Sequence, residues 1–179
     1  MNICVFCSSR DTVAEKFRKE ARTLGHFIGA QHHNLVYGGA TGGLMSEIAK
    51  ATHSSGGKIT GVIPSRIVEM GRESLLVDLL FKVETMSERK DKMRSCSDVF
   101  VVLPGGYGTL DELFDTLSSS LVGYHHKPTI LVNSEHFYDA LLTQFNIIEQ
   151  EHLGHIKSTN LHIASSSEEA ISIISELLP

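Results

Sequence analysis

"DVFVVLPGGYGTLDELF", Asp98 to Phe114, passes from an apolar run through three glycines into two carboxylates and a leucine-spaced segment. Val99 to Leu103 are apolar without alternation, the pattern of a strand covered on both faces. Leu110, Leu113, Leu117 and Leu121 then fall on one face of a helix. A buried strand that turns through glycine straight into an amphipathic helix is half of a parallel βαβ unit.

The same alternation recurs outward from this stretch. "ICVFC", "NLVYGG", "KITGVIP", "FKVETM", "PTILVN" and "LHIA" read as further strands with helix-length segments between them. Phe17, Ala21, Leu24 and Ile28 share one helical face. Thr12 with Glu15 and Ser166 with Glu169 have capping-box spacing, and "SSGGK" closes a helix before the third strand. The spacing predicts an α/β fold: a doubly wound, Rossmann-like parallel sheet with helices on both faces. No internal repeat, linker or low-complexity segment divides the chain, so residues 1–179 read as a single domain.

Composition narrows the function. A net charge of -5 supplies no basic face for nucleic acid. No apolar stretch approaches the roughly 20 residues of a membrane span, and "MNICVFCSSRD" has no basic n-region, so a cytoplasmic protein without a membrane partner is expected. Cys4 and Cys7 form a CxxC inside an apparent strand, where side chains three apart point to opposite faces, and read as packed free thiols. The histidines, His32-His33 and His125-His126 among them, lack metal-ligand spacing. Neither a metal nor a cofactor is expected.

Ligands of doubly wound sheets bind beyond the carboxyl ends of the strands. That rule selects "CSSRD", "YGGATGGLMSE" and "PGGYGTLDE". The last two carry glycines where helix N-termini offer free N–H groups to an anion. Neither is GxGxxG or ends in Gly-Lys-Ser/Thr, which weakens dinucleotide and NTPase readings. Glu112 has two readings: with Thr109 it has capping-box spacing, or it faces an electron-poor carbon beside a bound phosphate. In "TMSERKDKMRS", a helix capped by Ser87 carries Arg89, Lys90, Lys92 and Arg94 in its first two turns, where the macrodipole disfavours cations. Glu88 and Asp91, or a bound phosphate, would compensate them.

"VYGGATGGLMSEIA", "MSERKDKM" and "LPGGYGTLDELFDTL" together resemble the three signatures of the Lonely-guy family, phosphoribohydrolases that activate cytokinins and have been labelled lysine decarboxylases. The PGGxGTxxE pattern is complete in Pro104, Gly105, Gly106, Gly108, Thr109 and Glu112, and the resemblance covers roughly residues 2–153. It implies a Rossmann-type homodimer that hydrolyses the N-glycosidic bond of a nucleoside 5'-monophosphate, typically N6-substituted AMP, to free base and ribose 5-phosphate. Alternatives are an AMP nucleosidase without cytokinin specificity and a non-catalytic nucleotide or cofactor carrier.

Carried over by position, the resemblance makes Arg89 and Glu112 the catalytic pair, with Gly105, Gly106, Gly108 and Thr109 around phosphate, Lys90 adding charge and Met86 lining the base pocket. Ser8, Gly39, Glu73 and Ser118 are its remaining substrate-binding positions. The chain departs from the family at Ser8, where glycine is usual and Arg10 follows shortly after, and at Ser46. In "SSSLVG", Ser118 to Gly123, a tryptophan-bearing stretch is replaced. A serine-lined slot implies discrimination between N6-isopentenyl-AMP and AMP within about tenfold.

Overall fold

The computed structural model describes residues 1–155 and 159–177. They form a parallel seven-stranded sheet in the order β4-β3-β2-β1-β5-β6-β7. The strands are β1 (Asn2–Phe6), β2 (Asn34–Tyr37), β3 (Lys58–Pro64), β4 (Leu79–Val83), β5 (Val99–Val102), β6 (Thr129–Val132) and β7 (Leu161–Ala164). The helices are α1 (Glu15–Ala30), α2 (Gly43–Ser54), α3 (Ser65–Glu69), α4 (Met86–Ser95), α5 (Tyr107–Leu121), α6 (Asp139–Gln150) and α7 (Ser167–Glu176). Every apolar run read as a strand is one, and the doubly wound α/β architecture holds.

The unbroken apolar runs follow from two buried faces. Ile3, Val5, Leu35, Ile59, Val99 and Val101 belong to one core layer, with Ala21, Leu24 and Ile28 of α1 and Ile48 of α2. Their sequence neighbours Cys4, Val36, Phe100 and Val102 belong to the other, with Met93 of α4 and Leu113 and Leu117 of α5. Cys4 and Cys7 are accordingly buried free thiols in different layers. Leu121, expected on the buried face of α5, is 48% exposed at the helix end.

The strand order reverses at β1, which pairs with β2 on one side and β5 on the other. Loops leaving β1 and β5 therefore diverge and leave a crevice above the sheet edge, as expected for this topology.

Two helix starts differ from the sequence reading. The turn closed by Val13 N on Arg10 O, with Arg18 donating to Asp11 O and Val13 O, keeps Thr12 outside α1. The cap is Ala14, with no side-chain bond. Thr85, not Ser87, caps α4: its hydroxyl accepts from Glu88 N at 3.1 Å, and Glu88 Oε2 accepts from Glu84 N at 3.0 Å. Ser166 caps α7 as expected.

His125 lies under α5 against the Phe100 ring, 5.5 Å between centroids. Its Nδ1 accepts from Lys127 N at 3.2 Å, so Nε2 carries the proton and donates to Thr116 O at 3.1 Å. Burial first, then the neighbouring Lys127 and Arg94 charges, hold its pKa below the usual 6.5. Burial also lowers that of His33. A base with a depressed folded pKa contributes stability that is complete above the unfolded value and is lost as pH falls below it. We expect Tm to decline as pH drops below about 6.5, with the decline flattened in His125→Gln although that variant starts from a lower Tm at neutral pH. Thermal melts across pH 5 to 8 check this; parallel curves would remove His125 from the acid response.

Candidate active site

The crevice is a cleft of about 490 Å³ at the carboxyl ends of the central strands. The loop after β1 contributes Cys7 to Arg10, the loop after β2 contributes Gly38 and Ala40, and the start of α5 contributes Gly106 to Thr109 and Glu112. Met45, Pro64, Ile67 and Met86 form an apolar side, and Arg72 and Arg89 bring charge.

Both glycine turns start helices here, but only one leaves its amides free. At α2, Asp11 Oδ1 accepts from Gly43 N at 2.9 Å, Ser46 Oγ from Gly42 N at 2.7 Å, and Ser8 O from Leu44 N at 2.9 Å and Met45 N at 3.3 Å. That N-terminus is saturated by the protein. At α5 the cap is Gly106, which has no side chain, and the amides of Tyr107, Gly108 and Thr109 find no acceptor among the described residues. Three unpaired N–H groups at a positive helix end, opening on a cleft, are the arrangement of a candidate anion site.

Glu112 lies on the inner face of α5, 2% exposed. The helix begins at Tyr107, so Thr109 is inside it and Glu112 is in the second turn, which excludes the capping-box reading. Arg89 Nη1 of α4 donates to Glu112 Oε1 at 2.6 Å and its Nε to Val62 O at 3.2 Å. Gly38 makes room for the guanidinium: a Cβ there would sit 2.2 Å from Arg89 Nη2. Burial pushes the Glu112 carboxyl above its ordinary value, and Arg89 opposes that rise. The second carboxylate oxygen, Oε2, has no hydrogen-bond partner among the described residues, and Glu112 lines the cleft. The pair thus presents one lone carboxylate oxygen beside the candidate anion site.

Of the remaining cations of α4, Lys92 lies over the Phe81 ring, 3.9 Å from its centroid, and Lys90 and Arg94 are compensated by carboxylates. Lys90 Nζ lies 2.8 Å from Asp111 and 3.6 Å from Asp115, and Arg94 pairs with Asp115 and Asp91. Protein carboxylates do the work for which a bound phosphate was an alternative.

Of the residues named from sequence, Ser8, Met86, Arg89, Gly106, Gly108, Thr109 and Glu112 line the cleft together. Gly105 lies behind the turn, where a Cβ would meet the Thr109 side chain at 2.1 Å. Gly39 packs beneath the β2 turn against Ile63, Leu80 and the Gly61 backbone. Glu73 pairs with Lys82 at 3.0 Å, and Lys90 and Ser118 face a separate groove on the outer side of α5. Lining residues not named from sequence include Arg72, Ile67 and Tyr107. Arg72 Nη2 donates to Ser9 O at 3.2 Å and Thr41 O at 2.8 Å, tying the β1 and β2 loops together. Nothing in "GRES" signals that contact. Tyr107 could have been found as the variable position of PGGxGT. Among the described residues no cluster of three or more His, Cys, Asp or Glu could hold a metal, and no helix is long and apolar enough to cross a membrane.

Removing one partner of a buried pair leaves an uncompensated charge. Arg89→Leu is expected to cost about 3–5 kcal/mol at neutral pH. The sign with pH follows from Glu112: an acid whose folded pKa rises further destabilises the fold as pH climbs above the unfolded value. The deficit should therefore shrink toward pH 5, and Glu112→Gln in the same chain should recover part of it. Urea melts at two pH values measure this; a deficit independent of pH would contradict it.

A family model described as possible lysine decarboxylase matches residues 45–177. A probable cytokinin riboside 5'-monophosphate phosphoribohydrolase of Oryza sativa subsp. japonica is 38% identical over 177 residues, 98% of this chain and 76% of the relative. A cytokinin riboside 5'-monophosphate phosphoribohydrolase of Arabidopsis thaliana is 35% identical over 175 residues, with the same coverage. Among solved structures, the molybdenum cofactor binding protein of the phototrophic bacterium Rippkaea orientalis superposes with a TM-score of 0.75 at 26% identity, covering 99% of this chain and 97% of that one. The Chlamydomonas molybdenum cofactor carrier protein, at 24% identity, 98% and 96% coverage and a TM-score of 0.74, shares the fold. With near-complete coverage by relatives above 30% identity, a matching family model and the PGGxGTxxE turn, the chain belongs to the Lonely-guy family of cytokinin riboside 5'-monophosphate phosphoribohydrolases.

Proposed function

We propose that the protein hydrolyses the N-glycosidic bond of an N6-substituted adenosine 5'-monophosphate, releasing the free base and ribose 5-phosphate. The observation that carries this is the buried Arg89–Glu112 pair beside the unpaired amides of α5. The amides of Tyr107, Gly108 and Thr109 hold the 5'-phosphate. The ribose then lies toward Glu112, whose Oε2 faces the anomeric carbon. As the bond to the base breaks, its electron pair leaves with the base and positive charge develops on the sugar. A fixed carboxylate stabilises that charge and accepts the proton of the attacking water, whose oxygen forms the new bond to C1'; that proton then passes to the departing base, which leaves neutral, and the carboxylate is restored. Arg89 opposes the rise that burial imposes on the Glu112 carboxyl and fixes its rotamer, a role closer to the carboxylate than to the phosphate.

The base lies against Met45, Pro64, Ile67 and Met86, which also supply an apolar wall for an N6 substituent within one chain. Ser118 is outside this cleft, so the serine-rich stretch does not line it in the single chain. A homodimer is the expected assembly. Phe114, Leu121, Val122 and Tyr124 are 43–81% exposed on and just beyond α5, an apolar face suited to a second copy. The cytoplasm is the expected compartment.

A carrier reading draws on the structural likeness to the molybdenum cofactor binding protein. Incubation with N6-isopentenyl-AMP and AMP separates the two: release of base and ribose 5-phosphate supports hydrolysis, and tight binding without release supports carriage.

Glu112→Gln should keep the fold and nucleotide binding while kcat falls at least about a hundredfold. Arg89→Lys should also be impaired, because a point charge cannot reproduce the two-sided grip on Glu112 and Val62, whereas Arg94→Ala should change kcat/KM less than about threefold. Near-normal turnover of Glu112→Gln would leave the carboxylate structural. Ile67→Ser should cut kcat/KM for N6-isopentenyl-AMP about tenfold while that for AMP moves less than about threefold. Parallel losses on both substrates would place the N6 wall elsewhere.

A further inference from the structure

The segment between β6 and α6 is wound in a way the cleft lining does not explain. Glu135 and His136 follow one another at φ 54° and 59°, the left-handed region that non-glycine residues seldom occupy. Asn133 holds the turn: its Oδ1 accepts from Tyr138 N at 2.6 Å and its Nδ2 donates to Asp139 Oδ1 at 2.7 Å. The winding delivers Tyr138 into the interior, 3% exposed, with the Phe137 ring edge-on at 4.8 Å. Two successive strained residues persist only where the surroundings over-determine them, and such strain concentrates near functional sites.

The Tyr138 hydroxyl ends beneath the anion-binding turn. It donates to Leu103 O at 2.9 Å, and the Gly105 backbone amide faces the same oxygen, partly offsetting the rise that burial imposes on the phenol. Leu103 and Gly105 flank Pro104, which has no N–H of its own to anchor the chain as it leaves β5. Leu103 N donates to Phe6 O at 2.9 Å, and Ser8 N donates to Pro104 O at 3.3 Å, so β1 restrains the turn from one side. Tyr138 restrains it from the other. A single buried hydroxyl therefore anchors the residue before the proline, at the start of the turn that leads to the free amides of α5.

We propose that Tyr138 is a positioning residue for the phosphate-binding turn, its hydroxyl setting the path of Leu103 to Gly105 and so the aim of the Tyr107, Gly108 and Thr109 amides. This rests on the reading of the cleft as a nucleoside monophosphate site. Tyr138 does not line the cleft and acts only through the backbone it holds. The strain at Glu135 and His136 is what places it there.

Tyr138→Phe keeps the ring and its packing and deletes only the hydroxyl's hold on Leu103 O. Four quantities test it in the intact chain: kcat and KM for N6-isopentenyl-AMP, kcat/KM for the riboside lacking phosphate, the Kd of ribose 5-phosphate, and amide hydrogen exchange at residues 105–109. The expected result is a rise of about tenfold in KM and in the ribose 5-phosphate Kd, with kcat within about threefold, the riboside unaffected and exchange faster at the turn. A purely structural tyrosine would lower Tm and leave KM, Kd and exchange unchanged, which would overturn the proposal. Wild-type protein that binds ribose 5-phosphate but releases no base would sink the hydrolase reading, and the proposal would then stand or fall on the phosphate affinity and exchange of Tyr138→Phe. Failure of the wild-type protein to bind ribose 5-phosphate would overturn both.

Discussion

The site is organised by a charge pair that the fold buries. A guanidinium and a carboxylate removed from water are costly unless each meets the other with good geometry. Arg89 and Glu112 meet that condition because α4 and α5 lie side by side over the same core layer, with Met93 and Leu113 packed beneath them. The arrangement propagates outward. Gly38 must lack a side chain to admit the guanidinium, Val62 O must be free to accept from Nε, and Lys90 and Arg94 continue the pairing along the exposed side of the two helices. The exposed rungs contribute little stability individually.

A second constraint is the contrast between two helix N-termini on the same sheet edge. Both follow glycine turns and both carry the positive end of a helix. The α2 terminus is filled by Asp11, Ser46 and the Ser8 carbonyl, which makes it a structural joint between the β1 and β2 loops. The α5 terminus opens on the cleft with its amides unpaired. The protein supplies at α2 the acceptors that it leaves out at α5. On the proposed reading, neutral amides meet the phosphate and the Glu112 carboxylate meets the atom where positive charge develops.

The sheet order and the pairing of unlike helices explain how one chain holds these parts to within ångströms. Reversal at β1 places the β1 and β5 turns side by side. The loops that bear Ser8 and Gly106 hang from strands buried on both faces, so their ends are anchored in the core even though the loops are polar.

The sequence by itself determined the fold class and the chemistry available. Unbroken β-branched runs alternating with amphipathic segments allow few arrangements other than a doubly wound sheet, and the glycine spacing of Pro104 to Glu112 marks one helix N-terminus as a ligand turn. Those signals are local, with periods of a few residues. What the tertiary structure alone decided is long-range. Whether Glu112 caps its own helix or pairs with Arg89, 23 positions away, depends on the crossing of α4 and α5, and local spacing permits both. The fate of the α2 amides depended on where Asp11 lands, 32 positions before the amide it caps in space. Arg72 ties Ser9 and Thr41 with no motif to announce it. Lys90 of α4 and Ser118 of α5 face a groove outside the cleft because a helix turns about 100° per residue, so that neighbours in sequence face apart and only packing decides which one the cleft receives.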